Sequence, residues 1–405
     1  MLIVAAVAFA VPLLLGLAPR LRLSAGALEL AVGIAIGPSG LGWVEIDEPI
    51  EVLAMLGLAF LLFLAGIEVD LARLRRPLLG AAGRGFLMSI GLALGVGYGL
   101  QAAGLVDGGA LVAVILSATY LGAIAPVLRD AGRDGSAFGQ LTLAGAAIAN
   151  FAAVILLSLL FSQETSDAGA RLVLLAGFVV LAVLLAVGLS RVERSMRLSA
   201  ALLRLQDTSA QIRVRGAFVL LAGFVALASA LGVEVILAAF TAGAILALVD
   251  RDAMHTHPQL RTKLEGAGFG FFIPVFMVAS GIRFDLDALL GGASTIALAP
   301  TFLVALLLVR GLPALLTYRP LIGGRLALAA GLLQATSLPF IVAAAQIAAS
   351  LGSIGQGTSA ALIAAGLLSL SIFPETAKAI LARRDRPAPA GRPRATPAAH
   401  GGLQG

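Results

Sequence analysis

Two polar triplets interrupt otherwise apolar stretches of this chain: Ser117-Ala118-Thr119 and Gln334-Ala335-Thr336, each with a proline downstream, Pro126 or Pro339. Proline removes a helix hydrogen bond and displaces a carbonyl. In an apolar medium, carbonyls freed in this way can hold a cation, and freed amides an anion. For a single helix the bland alternative is a kink propped by Ser and Thr; two interruptions at matching positions favour a functional crossing. Arg310 is the one basic residue deep inside an apolar run. Inserting such a charge costs roughly 2.5–3.5 kcal/mol, so a partner is expected, although its depth of roughly 10 Å also permits snorkelling to an interface. Asn150 stands at the centre of another apolar run. An isolated asparagine there ordinarily makes a packing hydrogen bond worth about 0.6–2 kcal/mol.

The elements that carry these residues follow from composition. The 405 residues are 60 % hydrophobic and 12 % charged, with a mean hydropathy of +1.02; soluble domains are about half apolar and a quarter charged. Apolar runs near the roughly 20 residues that a bilayer crossing needs predict thirteen helices. They fall at about 1–18, 26–44, 50–68, 79–101, 109–128, 139–162, 170–190, 214–231, 234–250, 265–282, 293–317, 325–350 and 357–381. The chain is therefore expected to be an all-α membrane protein, with a transmembrane domain over 1–381 and a disordered, basic Pro/Arg/Ala-rich tail over 382–405. The N-terminus lacks a basic region before its apolar stretch, so it reads as a first span rather than a cleaved signal. The absence of cysteine excludes disulfides and thiolate chemistry.

The net charge of +6 does not point to nucleic acid, because the basic residues lie in loops between apolar runs. Loops after odd-numbered spans, together with the tail, hold 24 of the 28 Lys and Arg, whereas connections such as Glu45-Ile46-Asp47-Glu48 are acidic. That alternation places the N-terminus outside and the C-terminus in the cytoplasm, as for a multi-pass protein of a bacterial inner membrane. His255 and His257 lie in a cytoplasmic loop without further ligands, which favours neither metal binding nor pH sensing.

Segments match across the halves. FLLFLAGIEVDLARL pairs with FIPVFMVASGIRFDLDAL, so that Gly281 follows Gly66 by 215 residues, and Thr336 follows Thr119 by 217. Both pairs lie seven spans apart. Seven is odd, so the copies are oppositely oriented, and the pattern predicts an inverted repeat of spans 1–6 and 8–13 in which the fifth and twelfth are crossed, broken helices. Such repeats are typical of secondary transporters, with substrate sites near the midplane.

The runs LELAVGIAIGPSGLGWV, LGLAFLLFLAGIEVDLARL, LSATYLGAIAPVLRDAG, LGVEVILAAFTAGAIL and FFIPVFMVASGIRFDL resemble the second family of monovalent cation:proton antiporters, which includes Kef-type and related sodium/proton exchangers. The resemblance covers about residues 25–380. It implies a transporter rather than an enzyme, with no cofactor. It also implies a homodimer whose mobile core exchanges Na⁺ or K⁺ for H⁺ by an elevator-like movement. The family carries a carboxylate midway along the sixth helix, and Asn150 occupies that position here, preceded by Ala149. Arg310 matches a basic residue of the eleventh helix that pairs with that carboxylate, and Glu68 and Glu234 match family positions at helix ends.

Asparagine can help to coordinate a cation, but it has no titrating proton. Three explanations are open: an engineered, coupling-deficient neutralisation; a variant whose coupling uses another group such as Glu68 or Glu234; or a different solute on the same scaffold. An anion carrier would suit an uncompensated Arg310, and a transport-inactive regulatory component is the remaining alternative. The expected transport site comprises Asn150, Thr119, Ser117, Thr336 and Arg310, with Gln334, Glu68 and Glu234 as auxiliary groups.

Overall fold

The computed structural model describes residues 1–17, 24–68, 76–161, 180, 184, 211–231, 234–249 and 259–382. All regular structure among them is helical. The helices are α1 (Leu2–Leu17), α2 (Ala25–Ile36), α3 (Glu48–Ile67), α4 (Arg76–Ala102), α5 (Gly109–Ser117), α6 (Leu121–Asp130), α7 (Ala137–Phe161), α8 (Ile212–Leu231) and α9 (Val235–Val249). After these come α10 (Gln259–Ala267), α11 (Ile273–Ile282), α12 (Leu286–Leu290), α13 (Ala293–Leu306), α14 (Leu312–Ile322), α15 (Gly324–Gln334), α16 (Pro339–Ser350) and α17 (Gln356–Ala382). Among the described residues nine helices are long and apolar enough to cross a membrane, and three shorter apolar ones lie at Leu2–Leu17, Ala25–Ile36 and Val235–Leu248. The helix expected at 170–190, the histidine loop and the basic tail fall outside the described residues, apart from Val180 and Leu184.

Local chemistry sets the helix ends. Ser24 caps α2 by accepting from the Ala27 amide at 3.2 Å, and Asp47 caps α3 by accepting from Ile50 at 2.9 Å. The second span is expected to run to residue 44, but α2 stops at Ile36. Pro38 disfavours helical backbone at Gly37, and the Trp43 and Val44 amides fold back onto the Ile36 carbonyl. The tenth and eleventh spans each contain a π-helical turn, Gly268–Phe272 and Leu307–Gly311. Each turn is followed two residues later by a proline, Pro274 or Pro313. A proline cannot donate to the carbonyl four residues back, here Gly270 or Val309, and its ring crowds that carbonyl. Widening the turn around it relieves the clash.

The helices pack as two groups. α1, α2, α3, α8, α9, α10 and α11 form a scaffold group; α4–α7 and α12–α17 form a second, core group. The scaffold is closed by two glycine crossings. Gly66 of α3 meets Gly243 of α9, and Gly33 of α2 meets Gly281 of α11. A methyl added at any of the four would run into a backbone carbonyl of the facing helix: Phe240, Phe63, Val278 or Leu30. Small residues allow this close approach, on which helix association in a bilayer depends. Outward faces carry exposed apolar side chains such as Phe9, Leu87 and Val219, a surface suited to lipid.

The crossings give the first testable expectation. Gly66→Ala or Gly243→Ala should destabilise the detergent-solubilised protein by about 1–3 kcal/mol through overpacking. Gly223→Ala, whose new methyl would find open space, should be neutral or slightly stabilising. Thermal melting of the three variants checks this.

Candidate functional site

The fifth and twelfth spans are both broken. α5 ends at Ser117 and α6 begins at Leu121; α15 ends at Gln334 and α16 begins at Pro339. Proline explains one break: Pro339 opens α16, where its missing N–H is harmless. It does not explain the other, because Pro126 sits inside α6, well past the interruption. There the chain leaves the helix to bond its counterpart. The Tyr120 amide donates to the Thr336 carbonyl at 2.9 Å, and the Thr119 hydroxyl donates to the Gln334 carbonyl at 2.7 Å. The Tyr120 phenol folds back over Gly122, where a β-carbon would strike the ring.

Arg310 ties this junction to its surroundings. Its π-helical turn aims the side chain inward, and it is 2 % exposed. Nε donates to Thr119 Oγ1 at 2.8 Å, Nη1 to Ser89 Oγ of α4 at 3.2 Å, and Nη2 to the Gly145 carbonyl of α7 at 3.1 Å and to Gln334 Oε1 at 3.3 Å. Gln334 Nε2 in turn donates to Tyr318 Oη at 2.9 Å. Gly145 makes room for this packing, since a side chain there would meet Gln334 and Tyr318. Arg310 therefore does not snorkel, and its described partners are neutral acceptors rather than a carboxylate or Asn150.

On the other side of Thr119 lies a cavity of about 30 Å³, room for roughly two water-sized occupants. Asn150, Thr119 and Tyr120 of the core group line it, together with Glu68 of the scaffold; Leu61, Phe269 and Phe340 contribute apolar wall. Asn150 is 6 % exposed and makes no hydrogen bond to the described residues, which leaves an amide open on the cavity. Glu68 caps the C-terminus of α3 and pairs with Arg261 at 3.3 Å; Arg261 also bonds Glu265 at 2.6 Å. Burial pushes the Glu68 carboxyl up to about 7, and the Arg261 charge opposes that rise.

The remaining expected residues are placed apart from this cavity. Ser117 and Thr336 are fully buried and back-bond within their own helices, to the Val114 and Leu332 carbonyls; the Thr336 backbone, not its hydroxyl, joins the junction. Arg310 and Gln334 stand behind Thr119. Glu234 precedes α9, where its carbonyl accepts from Leu237 and Ala238, and burial raises its carboxyl above the ordinary range. Sequence reasoning missed Tyr120, Ser89, Tyr318 and Arg261. Tyr120 adjoins a polar triplet and was within reach of inspection; the others carry no local signal.

Comparison with known proteins places this geometry among relatives. The sequence profile of the sodium/hydrogen exchanger transmembrane family matches residues 5–383. The chain is 31 % identical over 404 residues to YjbQ of Bacillus subtilis (strain 168), whose name assigns it provisionally as a Na⁺/H⁺ antiporter; the match covers 96 % of this chain and 64 % of YjbQ. It is 29 % identical over 267 residues to the Na⁺/H⁺-K⁺ antiporter GerN of Bacillus cereus, covering 64 % of this chain and 65 % of GerN. These matches thus span under two thirds of either relative's length. The fold is similar to that of the sodium proton antiporter MjNhaP1 from Methanocaldococcus jannaschii. The TM-score is 0.66 at 18 % identity, over 94 % of this chain and 97 % of that one.

Two substitutions probe the geometry itself. Arg310→Lys replaces a planar fork with a single ammonium that cannot reach four separated acceptors, and should lower stability by about 1.5–3 kcal/mol in thermal melts. Arg261→Gln removes the charge that holds the Glu68 carboxyl down, so the Glu68 titration, followed by infrared spectroscopy, should move to higher pH.

Proposed function

We propose that this chain, which belongs to the sodium/hydrogen exchanger transmembrane family, exchanges a monovalent cation, Na⁺ or K⁺, for protons at the cavity between its two helix groups. The observation that carries this reading is the Asn150 amide. It is buried, has no partner among the described residues, and opens on the same cavity as Thr119 and Glu68. An amide that opens on a cavity and has no protein partner is free to coordinate a cation or its water. Asn150 supplies a carbonyl oxygen and Thr119 a free lone pair; neither supplies charge or a proton site.

Glu68 supplies both. With its carboxyl near 7, it is anionic above that pH and offsets part of the hydration that a cation loses on entering the cavity. Below it, the proton cancels the charge and the cation leaves. Cation and proton thus compete for one carboxylate, which is the minimum that exchange requires. Glu68 belongs to the scaffold, so coupling is set where the two groups meet rather than inside the core.

Thr119 and Asn150 lie on the core group, and an elevator-like slide of that group against the scaffold would switch the side to which the cavity opens. An inverted repeat agrees with the glycine crossings: exchanging the halves turns the α3–α9 contact at Gly66 into the α11–α2 contact at Gly281. The homodimer, the outside N-terminus and the inner-membrane location belong to the same reading, as does action by transport, without a cofactor. An anion carrier is less well supported, because Arg310 already donates to four neutral acceptors.

Proteoliposomes test the assignment. Wild-type protein should give cation-driven proton flux, Glu68→Gln should lose at least tenfold of it, and Asn150→Asp should raise flux and move its pH dependence. Wild-type flux that Glu68→Gln leaves intact would remove Glu68 from the coupling, and an Asn150→Asp variant with unchanged behaviour would displace the site.

A further inference from the structure

Two cavities lie between the helix groups, at opposite ends of α17. The larger, about 640 Å³, is lined by Ser24 ahead of α2, Pro126 and Val127 of α6, and Glu375 and Lys378 of α17. The smaller, about 190 Å³, is lined by Arg283 after α11, Gln346 of α16, and Gln356 and Ser359 of α17. Ser359 and Lys378 stand roughly 28 Å apart along the helix, about the thickness of a bilayer core. The groups are thus parted more widely on one face than on the other. On the narrower face a side chain bridges them: Gln346 Nε2 of the core donates to the Ser280 carbonyl of the scaffold at 3.0 Å.

That carbonyl has a reason to accept. The last carbonyls of a helix lack partners within it. After α11 the Arg283 amide bonds the Ala279 and Gly281 carbonyls, the Phe284 amide bonds that of Gly281, and Ser280 is passed over. Ser280 is fully buried, so its carbonyl depends on Gln346. The end of α3 has the same form: the Glu68 amide bonds the Leu64 and Gly66 carbonyls and passes over Ala65. Ala65 precedes Ser280 by 215 residues, the offset of Gly66 from Gly281. The residue 217 before Gln346, the offset of Thr119 from Thr336, is Arg129. It lies in the turn after Pro126 and Val127, on the wider face. There it is exposed and donates to the Ala125 carbonyl of its own helix at 3.5 Å.

We infer that Gln346 is a latch that holds the core on the scaffold in the state described, and that Arg129 is its counterpart, docking on the Ala65 carbonyl when the core has moved. This rests on the sliding-exchange reading above and names the contacts that alternate in it. One latch is made where the groups are close, and the other is undone where they are apart. When the narrow face opens, water replaces the Gln346 amide at the Ser280 carbonyl. The exchange of one hydrogen bond for another is nearly balanced, as a reversible switch requires.

The sequence has no cysteine, so single cysteines report which face is open. Ala360→Cys lines the smaller cavity and Ala123→Cys the larger. Each is labelled with a methanethiosulfonate ethyltrimethylammonium reagent in the full-length, detergent-solubilised protein. Adding Gln346→Ala should speed labelling of Ala360→Cys roughly two- to tenfold, the weight of one neutral hydrogen bond, and slow that of Ala123→Cys. Adding Arg129→Ala should do the opposite. Simple loosening would speed both sites, and that result, or unchanged rates, overturns the latch. Should Gln346→Ala not fold, Gln346→Met, similar in length but without a donor, carries the same expectation. Unchanged labelling with intact wild-type proton flux in proteoliposomes overturns the latch and leaves the exchange reading standing. Opposite shifts in a protein without that flux support the latch and remove the exchange reading.

Discussion

In an apolar medium a chain that leaves the helix must find new partners for its freed backbone groups. Here two such segments satisfy each other. The Tyr120 amide and Thr119 hydroxyl reach across to the Thr336 and Gln334 carbonyls, and Arg310 gathers Thr119, Gln334, Gly145 and Ser89 into one network. Several features of the core serve this junction. The π-helical turn directs Arg310 inward, Gly145 admits Gln334 and Tyr318, and Gly122 admits the Tyr120 ring. Buried polar networks of this kind are costly when half satisfied and rigid when complete. The Arg310–Thr119–Gln334 network is of the second kind, so it acts as a fixed frame behind the cavity.

The frame also determines where charge has to be. Arg310 carries a positive charge among neutral acceptors, and Asn150 adds none of the opposite sign. The carboxylate on the cavity wall, Glu68, belongs to the scaffold. On the proposed reading, proton chemistry lies at the interface between the two groups rather than on the core helix. A core whose own charge does not change with pH would leave the gain or loss of cation affinity to the apposition of the groups, which ties binding to their relative position.

Much of this was legible in the sequence, and the gaps have physical causes. Apolar run length located the helices among the described residues, and the triplets located both breaks, because each signal is local. Pro126 misled as to cause: its break is held by bonds to residues some two hundred positions away, which no local pattern reveals. The π-helical turns were hidden, since Ile-Pro and Leu-Pro pairs within apolar runs read as continuous helix. Asn150 stood out as a lone amide in an apolar run, whereas its neighbourhood with Tyr120 and Glu68 depends on how separate helices meet. The end of the second span was hidden as well: α2 stops eight residues short of the expected limit, because the backbone after Ile36 folds back on that helix.

The most direct measurement is the affinity of the purified protein for Na⁺ and K⁺ as a function of pH, by isothermal titration calorimetry. Competition between proton and cation at the Glu68 carboxylate requires that affinity hold steady above about pH 7 and weaken progressively below it. An affinity that stays constant from mildly acidic to alkaline pH, with a cation still bound, would contradict it.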